Sequence, residues 1–166
     1  MKKRSLVLVI GLGLILIAGG VFAASDSKPL TINAQVSDRA SLTLEVATIN
    51  FPDTDPDTTP IPATENSVDV TVKVRTGSAS VVTLTHQAAG DLTNPALDAI
   101  PIGSVTWTAT GGGFQAGTMS STVAQTAGSW TGPGNRSGTF SYFLVNSWNY
   151  AIGSYSVSST YILSTP

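Results

Sequence analysis

The feature that most constrains this chain of 166 residues is an apolar–polar alternation with a period of two. Its clearest instance runs from Val68 to Arg75, where four valines alternate with four polar residues. Successive side chains of a β-strand point to opposite sides, so this segment is predicted to be a strand with one buried and one solvated face. Beyond Ala24 the chain shows no sustained helical period, and we therefore predict an all-β protein.

The same alternation recurs along the chain between segments rich in turn-forming residues. Further strands are predicted at residues 30–36, 42–46, 82–86, 104–110, 138–145 and 155–163, with a weaker one at 118–125. Loops are predicted at 52–62, 111–113 and 128–138, where Gly, Pro and Asp concentrate. About seven to nine short strands separated in this way are typical of a sandwich or barrel, and we predict a single immunoglobulin-like antiparallel β-sandwich.

Residues 1–23 have the three parts of a secretory signal peptide. A basic patch at residues 2–4 precedes an apolar run at 6–18, and Val21 and Ala23 occupy the two positions that a signal peptidase reads. The stretch at 5–24 approaches the ~20 residues of a membrane-spanning helix, but its four glycines and its Val-x-Ala ending favour cleavage. We expect cleavage after Ala23, with Ala24 as the second choice, and a secreted or cell-surface protein that passes through the periplasm.

The exported part, residues 24–166, is expected to be mildly acidic. The full chain has 8 basic and 10 acidic residues, and loss of the three at positions 2–4 leaves a net charge of −5. Because phosphate contacts dominate nucleic-acid affinity, we expect no nucleic-acid partner, and the same reasoning disfavours docking on anionic lipid after signal cleavage. The chain has no cysteine, so core packing and strand pairing must stabilise it without disulfides.

No set of residues offers a nucleophile, a base and an orienting group together, so we expect neither an enzyme nor a bound cofactor. His86 is the only histidine. It lies in phase with Val82 and Leu84, which predicts a partly buried, hydrogen-bonded side chain, and a zinc site would need more His or Cys than this chain has.

An acidic loop at residues 53–57 places Asp at every second position. Such carboxylates can converge on calcium, but the loop lacks the Gly and the bidentate Glu of an EF-hand. A solvated turn whose Asp side chains cap backbone amides explains the same pattern. We predict no metal site here, although the sequence alone does not decide whether calcium binds.

Large aromatic residues fall into two groups. Trp107 alternates with apolar neighbours and is predicted to lie in the core. Trp130, Trp148 and Tyr150 flank the predicted strand at 138–145 and are predicted to lie in loops. Exposed aromatic rings can stack on sugars, so these three residues define a candidate ligand patch and an alternative function, a secreted carbohydrate-binding module. A lid over the core is the other interpretation, because partial burial is usual for Trp.

Four segments at the two ends of the exported chain resemble a known family. They are Leu30–Val36, Ala40–Leu44, Ile49–Phe51 and the ending Gly153–Leu163, which carries a Gly-x-Tyr turn into an alternating strand. This layout is similar to the spore coat protein U family and the related pilins of archaic chaperone–usher pili. The family's first cysteine would fall near residue 40 or 41, where this chain has none.

The resemblance implies an incomplete sandwich that lacks its last strand. The chain would be a non-enzymatic structural subunit of an extracellular fibre, a pilus, or of a surface coat, with self-association into a polymer, a periplasmic chaperone and an outer-membrane usher as partners. Residues 24–36 would be the donor strand that fills the groove of the next subunit. Its inserting positions are Leu30, Ile32, Ala34 and Val36, and the residues lining the core or groove are Tyr155, Val157, Tyr161 and Leu163.

Donor-strand insertion is physically workable for this segment. An added strand gains main-chain hydrogen bonds and places alternate side chains in pockets. Burial of Leu30, Ile32 and Val36 at about 1.5–3 kcal/mol each is worth roughly 5–9 kcal/mol at most. The same alternation equally describes the first strand of a complete domain, and the sequence pattern is identical in both cases.

Overall fold

A computed structural model describes residues 25–166, and the predicted signal peptide lies outside the described residues. The chain divides into two compact units, of which the first ends at Ala34 and the second spans Gln35–Pro166. In the first unit, residues 25–34 form no regular secondary structure, and Lys28 and Asp26 make an exposed ion pair of 3.6 Å. The strand predicted at 30–36 is therefore not formed within this chain.

The second unit is built from β-strands joined by turns and loops. The eleven strands are β1 (Arg39–Leu44), β2 (Ile61–Pro62), β3 (Val68–Arg75), β4 (Val81–Ala88), β5 (Leu92–Thr93), β6 (Ala99–Ile100), β7 (Val105–Thr110), β8 (Gly117–Thr118), β9 (Gln125–Thr131), β10 (Gly134–Leu144) and β11 (Ser159–Ser164). The only helical segment in residues 25–166 is one short 3-10 turn at Ile102–Ser104. The all-β prediction is confirmed.

Two antiparallel sheets share one hydrophobic core. The larger sheet has the strand order β1-β3-β10-β7-β8, and β2 pairs with the far end of β10. The smaller sheet has the order β11-β4-β9, and β5 and β6 form a separate hairpin. Within residues 25–166 we find no helix with the length and apolarity needed to cross a membrane.

The alternation that predicts the strands also selects the core. In β3, the valines are buried and the residues between them face outward. Leu84, on β4 of the other sheet, joins the same cluster as Trp107 and Phe140 on β7 and β10, which lie in the sheet of β3. Trp107 is 2% exposed, as predicted, and its indole Nε1 donates a 2.8 Å hydrogen bond to the carbonyl oxygen of Gln115.

The loop predicted at residues 128–138 is wrong, because β9 and β10 extend through it and only Gly132 and Pro133 remain between them. The glycines in this region make room for aromatic rings instead of breaking strands. A Cβ at Gly128 would lie 2.3 Å from the ring of Trp130, and one at Gly138 would lie 2.5 Å from the ring of Phe114. Glycine inside a strand often marks such a close approach.

The strands predicted at 118–125 and 155–163 also differ from the structure. Between Thr118 and Gln125 there is a loop, with β8 ending and β9 beginning at those residues. The last strand begins at Ser159 because the preceding residues turn toward β5, where Ser156 forms an isolated bridge with Thr93. Tyr155 and Val157 still pack against the core as partly buried side chains.

We expect Gly138→Ala to lower the free energy of unfolding by about 1–3 kcal/mol, the usual cost of overpacking. The new Cβ would lie 2.3 Å from the backbone oxygen of Thr110 and 2.5 Å from the Phe114 ring, so backbone and ring must both move. Urea denaturation measures the loss. The control is Gly103→Ala, where a Cβ meets nothing within 4 Å. Equal stability of the two variants would contradict the packing role of Gly138.

Candidate functional site

The two sheets each end in an edge strand on the same side of the core. Among the described residues, β1 pairs only with β3, and β11 pairs only with β4. The two edge strands approach each other to within 8 Å between some Cα atoms without pairing. We call the junction of β1 and β11 the seam. Its apolar side chains, Leu42, Leu44, Tyr161 and Leu163, are only partly buried, so this side of the core is incompletely covered.

The seam contains a pocket of about 110 Å³. Apolar side chains of β1, of the chain that follows it and of β3 form its walls, and polar side chains of β4, β10 and β11 complete it. The lining residues are Leu44, Val46, Ala47, Ile49, Val68, His86, Tyr142, Ser159 and Tyr161. Apolar walls with a few convergent polar groups are typical of binding sites in proteins.

His86 on β4 is the central polar residue of the pocket. It is 2% exposed, and its Nε2 atom lies 2.9 Å from the Oγ atom of Ser159. Its ring stacks on Tyr161 with a centroid distance of 3.8 Å and an interplanar angle of 11°. The edge of Trp107 packs against the same imidazole at 5.6 Å between centroids. The sequence predicts a partly buried, hydrogen-bonded histidine; the structure shows the hydrogen bond and buries the side chain more completely.

Two tyrosines complete the polar group. The hydroxyl of Tyr142 makes a hydrogen bond with the hydroxyl of Tyr161 and lies 3.4 Å from Nδ1 of His86. Desolvation by burial raises the pKa of Tyr142 to about 12 and also raises that of Tyr161. Both hydroxyls are therefore neutral and available for hydrogen bonding over the physiological range.

Ser159 and His86 form a pair that the sequence did not reveal, since β4 and β11 bring together residues 73 positions apart. Their distance is that of a nucleophile and its general base. However, Nδ1 of His86 faces a tyrosine hydroxyl rather than a carboxylate, and desolvation lowers the pKa of His86 to about 4. A base with so low a pKa removes protons poorly at neutral pH, so the arrangement favours a structural role.

The four residues predicted to form the donor strand are exposed in the structure. Leu30 and Ile32 are 84% and 85% exposed, and Val36 is 69% exposed. Ala34 is exposed as well. Leaving such side chains in water costs free energy that burial would recover, so the segment has apolar surface available for a partner.

Trp130, one member of the candidate ligand patch, is partly buried on β9 and does not lie in a loop as predicted. Its Nε1 atom donates to the carbonyl oxygen of Gly112 at 2.7 Å, and its ring meets the ring of Phe114 edge-on at 4.9 Å between centroids. The guanidinium of Arg136 lies 5.7 Å from the same ring. Trp130 therefore serves as packing around the turn between β9 and β10.

Trp148 and Tyr150 lie beyond the other end of β10, in the loop that follows it. Trp148 is 73% exposed and donates from Nε1 to Asp57 Oδ1 at 3.0 Å. Tyr150 is partly buried, with its hydroxyl 3.1 Å from Ser104 Oγ. Eleven residues of β10 rise about 33 Å, so the structure does not bring Trp130 together with the other two.

The acidic loop uses its carboxylates for hydrogen bonds within the chain. Asp55 Oδ1 accepts from the backbone N–H of Asp57 at 3.0 Å, and Asp57 accepts from Trp148. Across residues 25–166 we find no group of three or more His, Cys, Asp or Glu side chains placed to hold a metal ion. Turn capping thus accounts for the contact of Asp55, and the bond to the Trp148 indole accounts for that of Asp57.

The fold defines the class of this molecule as an all-β protein of antiparallel sheets around a common core. No protein-family model matches the chain, and no curated protein is significantly similar to it.

Proposed function

We propose that this chain is a non-enzymatic structural subunit of an extracellular fibre or surface coat, exported and polymerised by strand donation between copies. Residues 30–36 of one copy add to the free edge of β11 in the next. The observation that carries the proposal is the seam, where an unpaired strand edge borders incompletely covered apolar side chains.

The order of the strands supports an immunoglobulin-like sandwich without its last strand. In that architecture one sheet has the order A-B-E-D and the other the order G-F-C. The observed orders β1-β3-β10-β7-β8 and β11-β4-β9 contain A-B-E-D and F-C, with β8 and β9 added at the far edges of the two sheets. Among the described residues nothing occupies the place of strand G beside β11, which is the place that a donated strand would take.

The donor segment and the seam are complementary in chemistry. The seam lacks a strand, and the exposed segment has the apolar–polar alternation of a strand that buries one face. A strand inserted between two neighbours lies about 4.8 Å from each. Because β1 and β11 approach to within 8 Å at Cα atoms, insertion requires a small opening of the seam.

Export of such a subunit calls for assistance before assembly. An unpaired edge beside apolar surface pairs readily with any other strand and aggregates. We propose two partners. A periplasmic chaperone covers the seam, and an outer-membrane usher exchanges the chaperone for the next subunit. Donation from one copy to the next is a heterologous contact that does not close, and such contacts build fibres.

The decisive test introduces aspartate on the inserting face of the donor segment. We expect the mature Leu30→Asp, Ile32→Asp double variant to lose fibre formation, because each carboxylate would have to enter an apolar site without a partner. Negative-stain electron microscopy and sedimentation of the full mature chain measure assembly. The matched control is Thr31→Asp with Asn33→Asp, which adds the same charge on the opposite face and should assemble normally.

Two results would refute strand donation. One is fibres from the Leu30→Asp, Ile32→Asp variant at the rate and yield of the unmodified chain. The other is equal loss of assembly in both double variants, since that would report added charge and not insertion of one face.

A further inference from the structure

The four basic residues of the second unit lie at one of its ends, beside Asp38, and five of its carboxylates lie at the other. At one end, which we call the basic end, lie the exposed residues Arg39, Lys73 and Arg75, where β1 begins and β3 finishes. Arg39 and Arg75 stand directly opposite each other in the β1–β3 ladder. Like charges in that position destabilise an antiparallel pair, so the fold itself gains nothing from this arrangement.

The opposite end, which we call the acidic end, carries exposed carboxylates on several loops. They are Asp53, Asp55, Asp57, Asp91 and Asp98. The loops are fixed near the last residue of β10 and the first of β7. Asn146 donates to the Thr54 carbonyl oxygen at 3.0 Å, and Asp91 accepts from the backbone N–H of Ile102 at 2.8 Å.

These charges do not neutralise one another within the second unit. In the part of the chain that the structure describes, the single ion pair is that of Lys28 and Asp26, which belong to the first unit. The length of β10, about 33 Å, separates the basic end from the acidic end. This exceeds the screening length of about 8 Å at physiological salt.

Apolar side chains stand among the carboxylates of the acidic end. Leu97 is 85% exposed, Trp148 is 73% exposed and Ile152 is 99% exposed. Leu97 adopts a φ of 68°, a region that non-glycine residues rarely occupy. Exposed apolar side chains ringed by charge have the composition of a protein–protein contact.

The direction of the seam brings these two ends together in neighbouring copies. Strand β11 runs toward the basic end, since its last residue, Ser164, pairs with Thr83 near the start of β4. A donated strand that pairs antiparallel, like the ladders described in this chain, runs the opposite way. Residue 36 of the donated strand then lies at the acidic end of the acceptor. Arg39, at the basic end of the donor, follows only three residues later, so the two ends become neighbours.

We propose that the basic end of one copy docks on the acidic end of the next, as a second contact that orients and accelerates head-to-tail assembly. The occupant of each end is another copy of this chain. The inference rests on the proposed function for its geometry, while its own evidence is the charge complementarity of the two ends. Leu97, Trp148 and Ile152 form the apolar centre of the contact, and the charges form its rim.

Charge-reversal variants, studied singly and as a mixture, test this contact. We expect Arg75→Glu and Asp53→Lys, each in the full mature chain, to assemble about tenfold or more slowly in low salt, because rim charges mainly set the association rate. An equimolar mixture of the two should recover most of the native rate, since alternating copies then present opposite charges at every junction. Light scattering and electron microscopy follow the reaction. Asp69→Lys is the control, because it makes the same change of charge as Asp53→Lys but at an exposed position of β3.

Salt and the donor-segment variant separate this proposal from strand donation. In about 0.5 M salt the single reversals should approach the native rate, because the attraction between approaching copies is then screened beyond about 4 Å. Reversals that match the native rate in low salt, or a mixture no faster than its components, would overturn the end-to-end contact while leaving strand donation intact. If the unmodified chain forms no fibres, strand donation fails. In that case, self-association that is sensitive to salt and abolished by Arg75→Glu would still support the end-to-end contact. If no such self-association is found, the end-to-end contact is refuted as well.

Discussion

Replacing Trp107 by alanine is expected to lower the free energy of unfolding by about 3–5 kcal/mol, the range for a large aromatic residue in a core. The side chain is 2% exposed and packs against the rings of Phe140 and His86. Its indole N–H bond to the Gln115 carbonyl would also be lost. A domain of this size has a total stability of about 5–15 kcal/mol, so the substitution would remove a large fraction of it.

Chemical denaturation followed by far-ultraviolet circular dichroism measures this effect. Trp148→Ala is the matched control, because Trp148 is 73% exposed and a surface substitution usually changes stability by less than about 0.5 kcal/mol. Similar losses in the two variants would show that Trp107 does not lie in the core that joins the two sheets.

The sequence best predicted the strands whose alternating apolar residues are buried in the folded core. The four valines of β3 are all buried, as their spacing required. The failures have identifiable causes. Residues 30–36 alternate just as clearly, but a pattern states only which face a strand buries and not which chain supplies its partner. The glycines at 128 and 138 indicate turns in the sequence, which does not show that the rings of Trp130 and Phe114 fill the space beside them.

The candidate site was less predictable than the fold. Alternation correctly placed Tyr161 and Leu163 on the inner face of the last strand. It could not show that β11 would lie at the edge of its sheet, since strand order depends on pairings between distant residues. The contacts of His86 with Ser159 and Tyr142 span 73 and 56 residues for the same reason.

The buried imidazole of His86 should make the stability of the protein depend on pH. Desolvation lowers its pKa to about 4 in the folded protein, from 6.5 as the ordinary value. Between these values the unfolded chain binds a proton that the folded protein does not, so stability falls as the pH falls. The contribution is fully present above pH ~6.5, and roughly 2 kcal/mol is lost by pH ~5 and about 3 kcal/mol below pH ~4.

Among residues 25–166, the surroundings of His86 supply no charge that would reverse this sign. From β10 and β11 it faces the neutral hydroxyls of Tyr142, Tyr161 and Ser159, and from β7 the ring of Trp107. Across the ladder on β9 the paired residue is Gln125. An imidazolium at this position would therefore be buried without a counter-ion, which is the costly state.

Urea midpoints measured between pH 7.5 and 5 on the native protein and on His86→Phe test this expectation. Phenylalanine preserves a ring that stacks on Tyr161 but carries no proton, so we expect a lower midpoint at pH 7.5 and no decline on acidification. Hydrogen bonds from Asn50 lower the pKa of Glu65 below 4.5, so its contribution is lost only at more acidic pH. A native midpoint that stays constant down to pH 5, or an equal decline in His86→Phe, would show that His86 is not held neutral beneath the seam.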